Sequence, residues 1–447
     1  MKKQLLILMM TLLPMVASAD AGGTCGENAI WSYEESTQIL YVSGSGNIAN
    51  YNINTSPWSS IRSRVRQIAI GEGITGIGTF AFYYFTNLTS VVFPSTLTSI
   101  GDNAFNLCWC LKYADIPDGV TSIGREAFAG CSDLLAVNIP KSLITWGTSV
   151  LSNCSSLTSV VIPYGVTSIS ERTFSGCTRL KTIVIPNSVT SIESYAFWGC
   201  SKLASISLPE KLTSITQRVF YGCKGLTYIL IPEGVVSIED YAFQECTGLS
   251  SITLPNSLTT IGEQTLSGCA ALQSLTIPTN VISIGSKAFD GCSNLSEICV
   301  QPSSPPLASD DTFSNYSLYL YVPKTSVSKY KYKSPWNKFL SVEGTEFCAT
   351  PTISYQYGHV FFNCDTYDVK YVSNITYPTA SKQYDSSVPL STTCLVSVYA
   401  TKSNYKNSQT ITQEIDICGK KGDVNQDGAV TISDAVGVVN IILNEGK

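Results

Sequence analysis

The hydrophobic positions repeat with a period of 23 residues through most of the chain. Each repeat reads approximately L-x-x-I-x-I-P-x-x-V-x-x-I-x-x-x-A-F-x-x-C-x-x, and one example runs from Leu180 through Pro186 to Cys200. Such a period is typical of a solenoid, in which every repeat is a coil that buries its apolar edge against its neighbours. The proline position is filled without a slip by Pro94, Pro117, Pro140, Pro163, Pro186, Pro209, Pro232, Pro255 and Pro278.

The residues before each proline predict a short strand. Ile183 and Ile185 lie on one face of an extended segment and point inward, whereas Thr182 and Val184 point outward. Equivalent strands of successive coils then pair in parallel and in register, with the proline just past the strand end because it has no N–H to donate. We expect a second short strand around Ile192, and no more than a helical turn at the Ala-Phe segment.

The limits of the repeat divide the chain into six predicted parts. The pattern begins at Ile68 and Ile70, where Gly71 takes the proline position, and ends at Val300, which gives about ten coils. The predicted parts are a signal peptide at 1–19, an N-terminal cap at 20–62, the solenoid at 63–300, a C-terminal cap at 301–347, a small β-sandwich at 348–418 and a distinct tail at 419–447.

The chain begins with the pattern of a secretory signal peptide. Lys2 and Lys3 precede an apolar stretch, and residues 17–19 (Ala-Ser-Ala) form a typical cleavage site. The apolar stretch is short for a membrane-spanning helix, and no longer one follows. We therefore expect a secreted or cell-surface protein with no transmembrane segment once the signal is removed.

The segments on both sides of the repeat have strand patterns of their own. A hairpin is predicted from Trp31, Tyr33, Ile39, Tyr41 and Val42, and a strand at Leu318–Val322 is followed by a short helical stretch at Ser326–Phe339, broken at Pro335. The β-sandwich is predicted from alternating runs at Thr352–Tyr357, His359–Asn363, Val369–Val372, Cys394–Ala400 and Gln409–Ile417. Within it Cys364 and Cys394 are candidates for a disulfide, which the sequence leaves open.

Nine cysteines recur at one position of the coil: Cys108, Cys131, Cys154, Cys177, Cys200, Cys223, Cys246, Cys269 and Cys292. A ladder of disulfides or metal ions is one interpretation, and a buried column of free thiols is the other. Stacked side chains that point the same way do not bring their Cβ atoms to disulfide distance, and metal ligands must converge from different directions. The buried-thiol interpretation is therefore favoured.

Composition argues against several functions. Charged residues make up 14% of the chain, the net charge is −5 and there is no basic run, so we expect no nucleic-acid partner. The single histidine, His359, lies on a predicted strand outside the repeat, which leaves the solenoid without a Ser–His or multi-His site. Asp115 and Glu297 are eight coils apart, too far for paired carboxylate chemistry. No enzyme is expected.

The outward strand positions are the candidate contact surface. Most of them are Ser, Thr or Val, which simply suit strands. Larger side chains interrupt this composition, and exposed aromatic and aliphatic anchors are where binding energy concentrates. The candidate ligand-binding residues are Tyr113, Asp115, Val161, Val184, Tyr228 and Leu230.

The tail has the spacing of a calcium loop followed by an apolar helix. Oxygen ligands recur at alternate positions, Gly428 permits the sharp turn, and an aspartate rather than the usual glutamate ends the loop. The predicted ligands of one calcium ion are Asp423, Asn425, Asp427, the carbonyl of Ala429, Thr431 and Asp434.

These motifs resemble known families. The 23-residue unit with its I-P, A-F and Cys positions resembles the BspA-like leucine-rich repeats of bacterial surface proteins, and the segments around Cys25 and Val322 look like the caps of that family. Residues 348–418 look like an immunoglobulin-like module, and the tail looks like one half of a type I dockerin, which normally carries two calcium repeats. The resemblance implies a β-rich leucine-rich-repeat solenoid with parallel strands.

The resemblance also implies a function. The first hypothesis is a bacterial adhesion protein that recognises an extracellular protein ligand through the solenoid surface. The second is a non-catalytic component of an extracellular assembly that binds or degrades glycans, attached through the dockerin-like tail to a cohesin-like partner.

Overall fold

The computed structural model describes residues 20–143 and 145–347, and beyond them five strands within residues 352–417. The predicted signal peptide and the predicted calcium loop lie outside the described residues. Two compact units are present. The first contains residues up to 274 together with 280–296 and 306–316, and the second contains 275–279, 297–305 and residues from 317 onward.

A three-stranded antiparallel sheet opens the first unit, and it includes the predicted hairpin. Its strands are Ala21–Thr24, Asn28–Glu34 and Ile39–Asn47. The last of these also pairs in parallel with the first two strands of the repeat. Trp58 then covers the core: it is fully buried, its ring stacks on Phe82 at 5.0 Å, and its indole N–H donates to the carbonyl of Ala81 at 2.6 Å.

Coils contribute a strand before the proline position, as predicted, except the coil before Pro209, where residues 203–209 are described but form no strand. Where neighbouring strands pair they do so in parallel at a separation of one repeat, so that Val160 lies opposite Ile183. The residues opposite one another along this first ladder are therefore equivalent positions of the repeat. In the first unit its strands are Gln67–Ile70, Ser90–Val92, Tyr113–Asp115, Ala136–Asn138, Ser159–Val161, Thr182–Val184, Tyr228–Leu230 and Ser251–Thr253.

The predicted second strand is also present and forms a second ladder. The proline carbonyl accepts a hydrogen bond from the residue three positions later, for example from Val189 N to Pro186 O at 3.0 Å, which turns the chain between the two ladders. The strands of the second ladder are Ile74–Ile77, Ser99–Ile100, Ser122–Ile123, Thr145–Trp146, Ser168–Ile169, Ser191–Ile192, Ser214–Ile215, Ser237–Ile238, Thr260–Ile261 and Ser283–Ile284.

The Ala-Phe segment forms turns and no helix. The residue before the alanine has a positive φ in every coil, and so does a second residue four positions later, such as Tyr195 at 62° and Gly199 at 72°. Two left-handed residues so close together prevent a continuous helix. The turns pair between coils, since Tyr195 N donates to Gln217 O and Phe197 N to Val219 O, at 3.1 and 2.9 Å.

The core of the first unit consists of columns of equivalent side chains. The phenylalanines are fully buried and stack face to face, with Phe174, Phe197, Phe220 and Phe243 at centroid separations of 5.4 to 5.5 Å. Leucine, isoleucine and cysteine columns are buried beside them. Stacking thus removes from water the apolar edge that a single coil leaves exposed.

The second unit contains a four-stranded parallel sheet and short helices. The strands are Ser274–Ile277, Glu297–Val300, Tyr319–Pro323 and Ser341–Thr345. Lys324–Ser326 and Trp336–Lys338 are 3₁₀ turns, and Val327–Lys331 is an α-helix whose Tyr330 is buried and donates to Pro302 O at 2.8 Å. The helical stretch predicted at Ser326–Phe339 is therefore shorter and divided.

Five further strands belong to the second unit. Thr352–Gln356 and His359–Asn363 pair as an antiparallel hairpin, and Lys370–Thr376, Thr392–Thr401 and Ile411–Ile417 form an antiparallel sheet. These strands overlap the five predicted runs, although their assembly into a sandwich stays a prediction. In the described part of the chain, no helix is long and apolar enough to cross a membrane.

Candidate binding surfaces

The outward positions of the first ladder form the strand face, which is the surface predicted from the sequence. Tyr113, Val161 and Val184 are 57%, 65% and 58% exposed, as expected from the alternation of short strands. Val161 lies directly opposite Val184, so the two valines form one continuous apolar patch. Tyr164, one residue after Pro163 in the same coil as Val161, is 78% exposed.

The polar candidate of the strand face lies beside the aromatic one. Asp115 is exposed, lies opposite Asn138 and accepts a weak hydrogen bond from its amide at 3.5 Å. Tyr113 is two residues away on the same outward side of the strand and lies opposite Ala136. This arrangement combines an aromatic ring and a carboxylate on two neighbouring coils.

Tyr228 and Leu230 are half-buried rather than fully exposed. They lie on one strand, opposite Ser251 and Thr253 of the next coil. Their positions in the repeat equal those of Tyr113 and Asp115, so the alternation of the strand does not explain their lower exposure. The strand face therefore has its most exposed apolar group at Val161 and Val184.

A second surface lies on the turns and was not predicted. The residue before the alanine position of each Ala-Phe segment and the residue after its phenylalanine position form two columns along neighbouring coils, although Thr173 and Val219 take the alanine position in two of them. Over four coils the first column reads Arg172, Tyr195, Arg218 and Tyr241, and the second reads Ser175, Trp198, Tyr221 and Gln244. We call this surface the turn groove.

The first column of the turn groove alternates arginine with tyrosine. The guanidinium carbon of Arg172 lies 4.4 Å from the ring centroid of Tyr195, and that of Arg218 lies 5.6 Å from Tyr195 and 4.1 Å from Tyr241. Arg218 Nη1 also donates to Tyr195 Oη at 2.8 Å. These cation–π contacts and the hydrogen bond hold both guanidinium groups in fixed positions.

The second column supplies a tryptophan with one open ring face. Trp198 is 40% exposed and stacks on Tyr221 with a centroid separation of 6.0 Å and an interplanar angle of 18°. On its other side the equivalent residue is Ser175, whose small side chain cannot cover an indole. The groove has a volume of about 450 Å³ and is lined by Arg172, Ser175, Tyr195, Trp198, Arg218, Tyr221 and Gln244.

The sequence does contain a signal for the turn groove. Aligning the repeats places arginine and tyrosine alternately at the position before the alanine position over four coils, but elsewhere that column holds Phe80, Asn103, Glu126, Ser149, Gln264 and Lys287. The strand pattern concerns the alternating positions alone. Only the left-handed turn geometry shows that these side chains line one groove.

The cysteine column is buried and free in the structure, as the favoured interpretation expected. Each thiol donates to a carbonyl of the preceding coil, as Cys200 Sγ does to Phe174 O at 3.2 Å. Burial raises the pKa of Cys177 and of Cys246 to about 12. Within the described residues no group of three or more His, Cys, Asp or Glu is arranged to hold a metal ion.

Comparison with known sequences identifies the family. The BspA type leucine-rich repeat region matches in six copies, over residues 52–181, 147–237, 167–296, 213–334 and 262–382. These matches together extend over well more than half of the chain. The protein is therefore a parallel-strand solenoid of the leucine-rich-repeat class, and it belongs to the BspA-type leucine-rich repeat family.

Several solved structures of leucine-rich repeat proteins are similar to parts of this chain. A leucine-rich repeat protein from Bacteroides ovatus is 23% identical, with 72% of this chain and 99% of that one covered and a TM-score of 0.48. The pneumococcal vaccine antigen PcpA is 17% identical, with 74% and 100% covered and a TM-score of 0.44. A leucine-rich cell surface protein from Faecalibacterium prausnitzii is 24% identical, with 74% and 96% covered and a TM-score of 0.38. No curated protein matches the chain.

Proposed function

We propose that this chain is a non-catalytic adhesion protein, secreted or held at the bacterial cell surface, that binds an extracellular protein through its strand face. The exposed pair Val161 and Val184 is the observation that carries the proposal. These two aliphatic side chains are in contact with water. A partner that covers them would gain free energy from the burial of their apolar surface. Membership of the BspA-type family supports the same role.

The test compares the strand face with a matched surface on the same strands. Val161→Ser with Val184→Ser removes the apolar pair, whereas Ser159→Ala with Thr182→Ala changes the neighbouring exposed positions. The full chain is passed over a panel of purified host matrix proteins, and affinities are measured by surface plasmon resonance. We expect the valine variant to lose at least about tenfold in affinity and the control to bind like the parent.

The tyrosine pair is tested in the same assay. Tyr113→Ala with Tyr228→Ala is expected to weaken binding while leaving the unfolding midpoint nearly unchanged, since neither tyrosine belongs to the buried core. Unaltered affinity of both double variants for a matrix protein that the parent binds would exclude the strand face as the contact surface.

The second candidate function rests on the tail. We propose that Asp423, Asn425, Asp427, Ala429, Thr431 and Asp434 bind one calcium ion and order a docking helix. In this alternative the chain is a non-catalytic component of an extracellular glycan-handling assembly, and a cohesin-like protein is its partner. A glycan array probed with the same protein distinguishes the two functions, because glycan binding without any matrix-protein binding favours the assembly.

A further inference from the structure

The turn groove has the composition of a ligand site rather than of a solvated surface. It combines an indole face, two guanidinium groups held against tyrosine rings, and phenol and amide groups in an open groove of about 450 Å³. Surface arginines usually pair with carboxylates. Among the described residues, however, Arg218 makes no ion pair, and its guanidinium lies against the two tyrosines of its column.

Arg172 and Arg218 differ in this respect. Arg172 forms an ion pair with Glu171 in addition to its contact with Tyr195. Arg218 therefore provides the positive charge that remains to be neutralised, and its planar fork matches a carboxylate. A ligand that carries an anionic group would supply the missing counter-charge.

The open face of the Trp198 indole favours a ligand that has a flat apolar face. Trp198 is covered by Tyr221 on one side and faces the gap above Ser175 on the other. A flat molecule with an apolar face fills such a gap and removes both surfaces from water. The apolar C–H face of a pyranose ring has this shape, and its hydroxyl groups suit the phenol and amide groups around the rim.

The backbone of the groove argues against an extended peptide. The amides of Tyr195 and Arg218 already donate to Gln217 O and Asp240 O of the next coil, at 3.1 Å each. A peptide strand therefore finds no row of unpaired donors to bind along this surface. Recognition through side chains alone suits a ring-shaped ligand better than a main chain.

We propose that the turn groove binds a carboxylated pyranose, such as a uronic acid unit of an extracellular polysaccharide. The sugar ring packs on the free face of Trp198, and its carboxylate forms an ion pair with Arg218. The groove lies on the turns, apart from the strand face in the repeat, so this site is independent of the protein-binding function proposed above.

Isothermal titration of the full chain with tetragalacturonate tests the site. We expect binding, and weaker binding of the neutral methyl-esterified form because Arg218 then lacks its counter-charge. Trp198→Ala should lower the affinity for tetragalacturonate by at least about tenfold. Arg218→Gln should remove the preference for the acid while retaining binding of the ester.

Three further variants separate loss of the site from loss of the fold. Ser175→Trp places a third ring beside Trp198, at a position that carries tryptophan in the next coil, and should abolish binding; because Ser175 is buried, its unfolding midpoint is measured alongside. Trp109→Ala and Arg179→Gln change exposed residues outside the groove and should bind like the parent. Full binding by Trp198→Ala or Ser175→Trp, absence of tetragalacturonate binding, or tighter binding of polyglutamate than of tetragalacturonate would each overturn the proposal.

Discussion

The cysteine of each coil is a structural residue whose chemistry is suppressed by its surroundings. Its thiol is enclosed by neighbouring coils and donates to a carbonyl 26 residues earlier in the chain. Burial raises its pKa because the thiolate would lose its hydration. Both effects make the column unreactive although the predicted location is oxidising.

The nine column thiols should not react with Ellman's reagent in the native protein. They are expected to react once the chain is unfolded in urea without reductant, because they are free thiols enclosed only by the fold. Counting thiols before and after unfolding is the measurement. Rapid modification of these cysteines in the native state, or their failure to react after unfolding, would contradict the burial or the free state of the column.

Stability should fall at alkaline pH through the same thiols. Burial raises the pKa of Cys177, Cys246 and Cys292 from 9.0 to about 12. The folded state thus keeps protons that the unfolded chain releases, so the stabilisation is complete below about pH 9 and is lost between about pH 9 and 12. Urea unfolding of the parent and of Cys177→Ala with Cys246→Ala, at about pH 7 and about pH 10.5, should show a smaller decrease for the variant. If the parent and the variant lose the same free energy of unfolding at alkaline pH, the loss is due to groups other than these two thiols.

Left-handed residues define the turns, and glycine fills one of their two positions in most coils. Gly222 has a φ of 70° and ordinary van der Waals space for a Cβ atom, with the nearest heavy atom at 3.8 Å. Gly222→Ala should therefore lower the free energy of unfolding by about 1 kcal/mol through backbone strain alone. At the equivalent position of the next coil, Glu245 has a φ of 60°. Glu245→Gly should not lower the free energy of unfolding. A decrease equal to that of Gly222→Ala would show that side-chain packing, and not the positive φ, determines the effect of these substitutions.

The coil is the element of this fold, and its stability depends on the adjoining coils. A strand of two or three residues cannot persist alone, and the coils receive their backbone partners from neighbouring coils, through the ladders where strands pair and through the turns. Loss of one core side chain should for this reason affect several coils at once.

Phe197→Ala tests the phenylalanine stack. Phe197 is fully buried between Phe174 and Phe220, so the substitution should lower the free energy of unfolding by about 3–5 kcal/mol. Trp198→Ala, one residue later but 40% exposed, should cost about 1 kcal/mol or less. Urea unfolding midpoints compare the two. Equal midpoints for Phe197→Ala and the parent would show that the column is not core.

At the scale of the whole molecule, the features that could be predicted from the sequence are those that follow from the 23-residue hydrophobic repeat and from the alternation of side chains along its strands. The inward and outward positions of Thr182, Ile183 and Val184 followed from alternation because a strand has only two faces. The turn groove did not follow, since Arg172 and Tyr195 interact only after two left-handed residues per coil bring equivalent turns into a column. The half-buried state of Tyr228 likewise depends on packing that the alternation does not contain.

The predicted tail is the one part of the chain whose folding should depend on an ion. Asp423, Asp427 and Asp434 place three carboxylates within twelve residues. Their mutual repulsion should oppose a closed loop until a cation lies between them, so we expect ion binding and folding to be coupled. The apolar positions of the following segment, Ala435, Val438, Val439 and Ile442, then need a surface to cover them.

Calcium should bind the full chain with one-to-one stoichiometry, and helical circular dichroism should increase on its addition and decrease with chelator. Asp423→Asn with Asp427→Asn should abolish the heat of binding, because it removes two of the charged ligands and leaves the chain length unchanged. Asp118→Asn with Asp133→Asn makes the same charge change on exposed residues of the solenoid and should titrate like the parent. Calcium titration of residues 419–447 alone and of residues 348–447 then shows whether the β-domain packs on the apolar side of the predicted helix. Binding only by the longer fragment would make the tail an intramolecular clasp, whereas no heat from the full chain would end the dockerin interpretation.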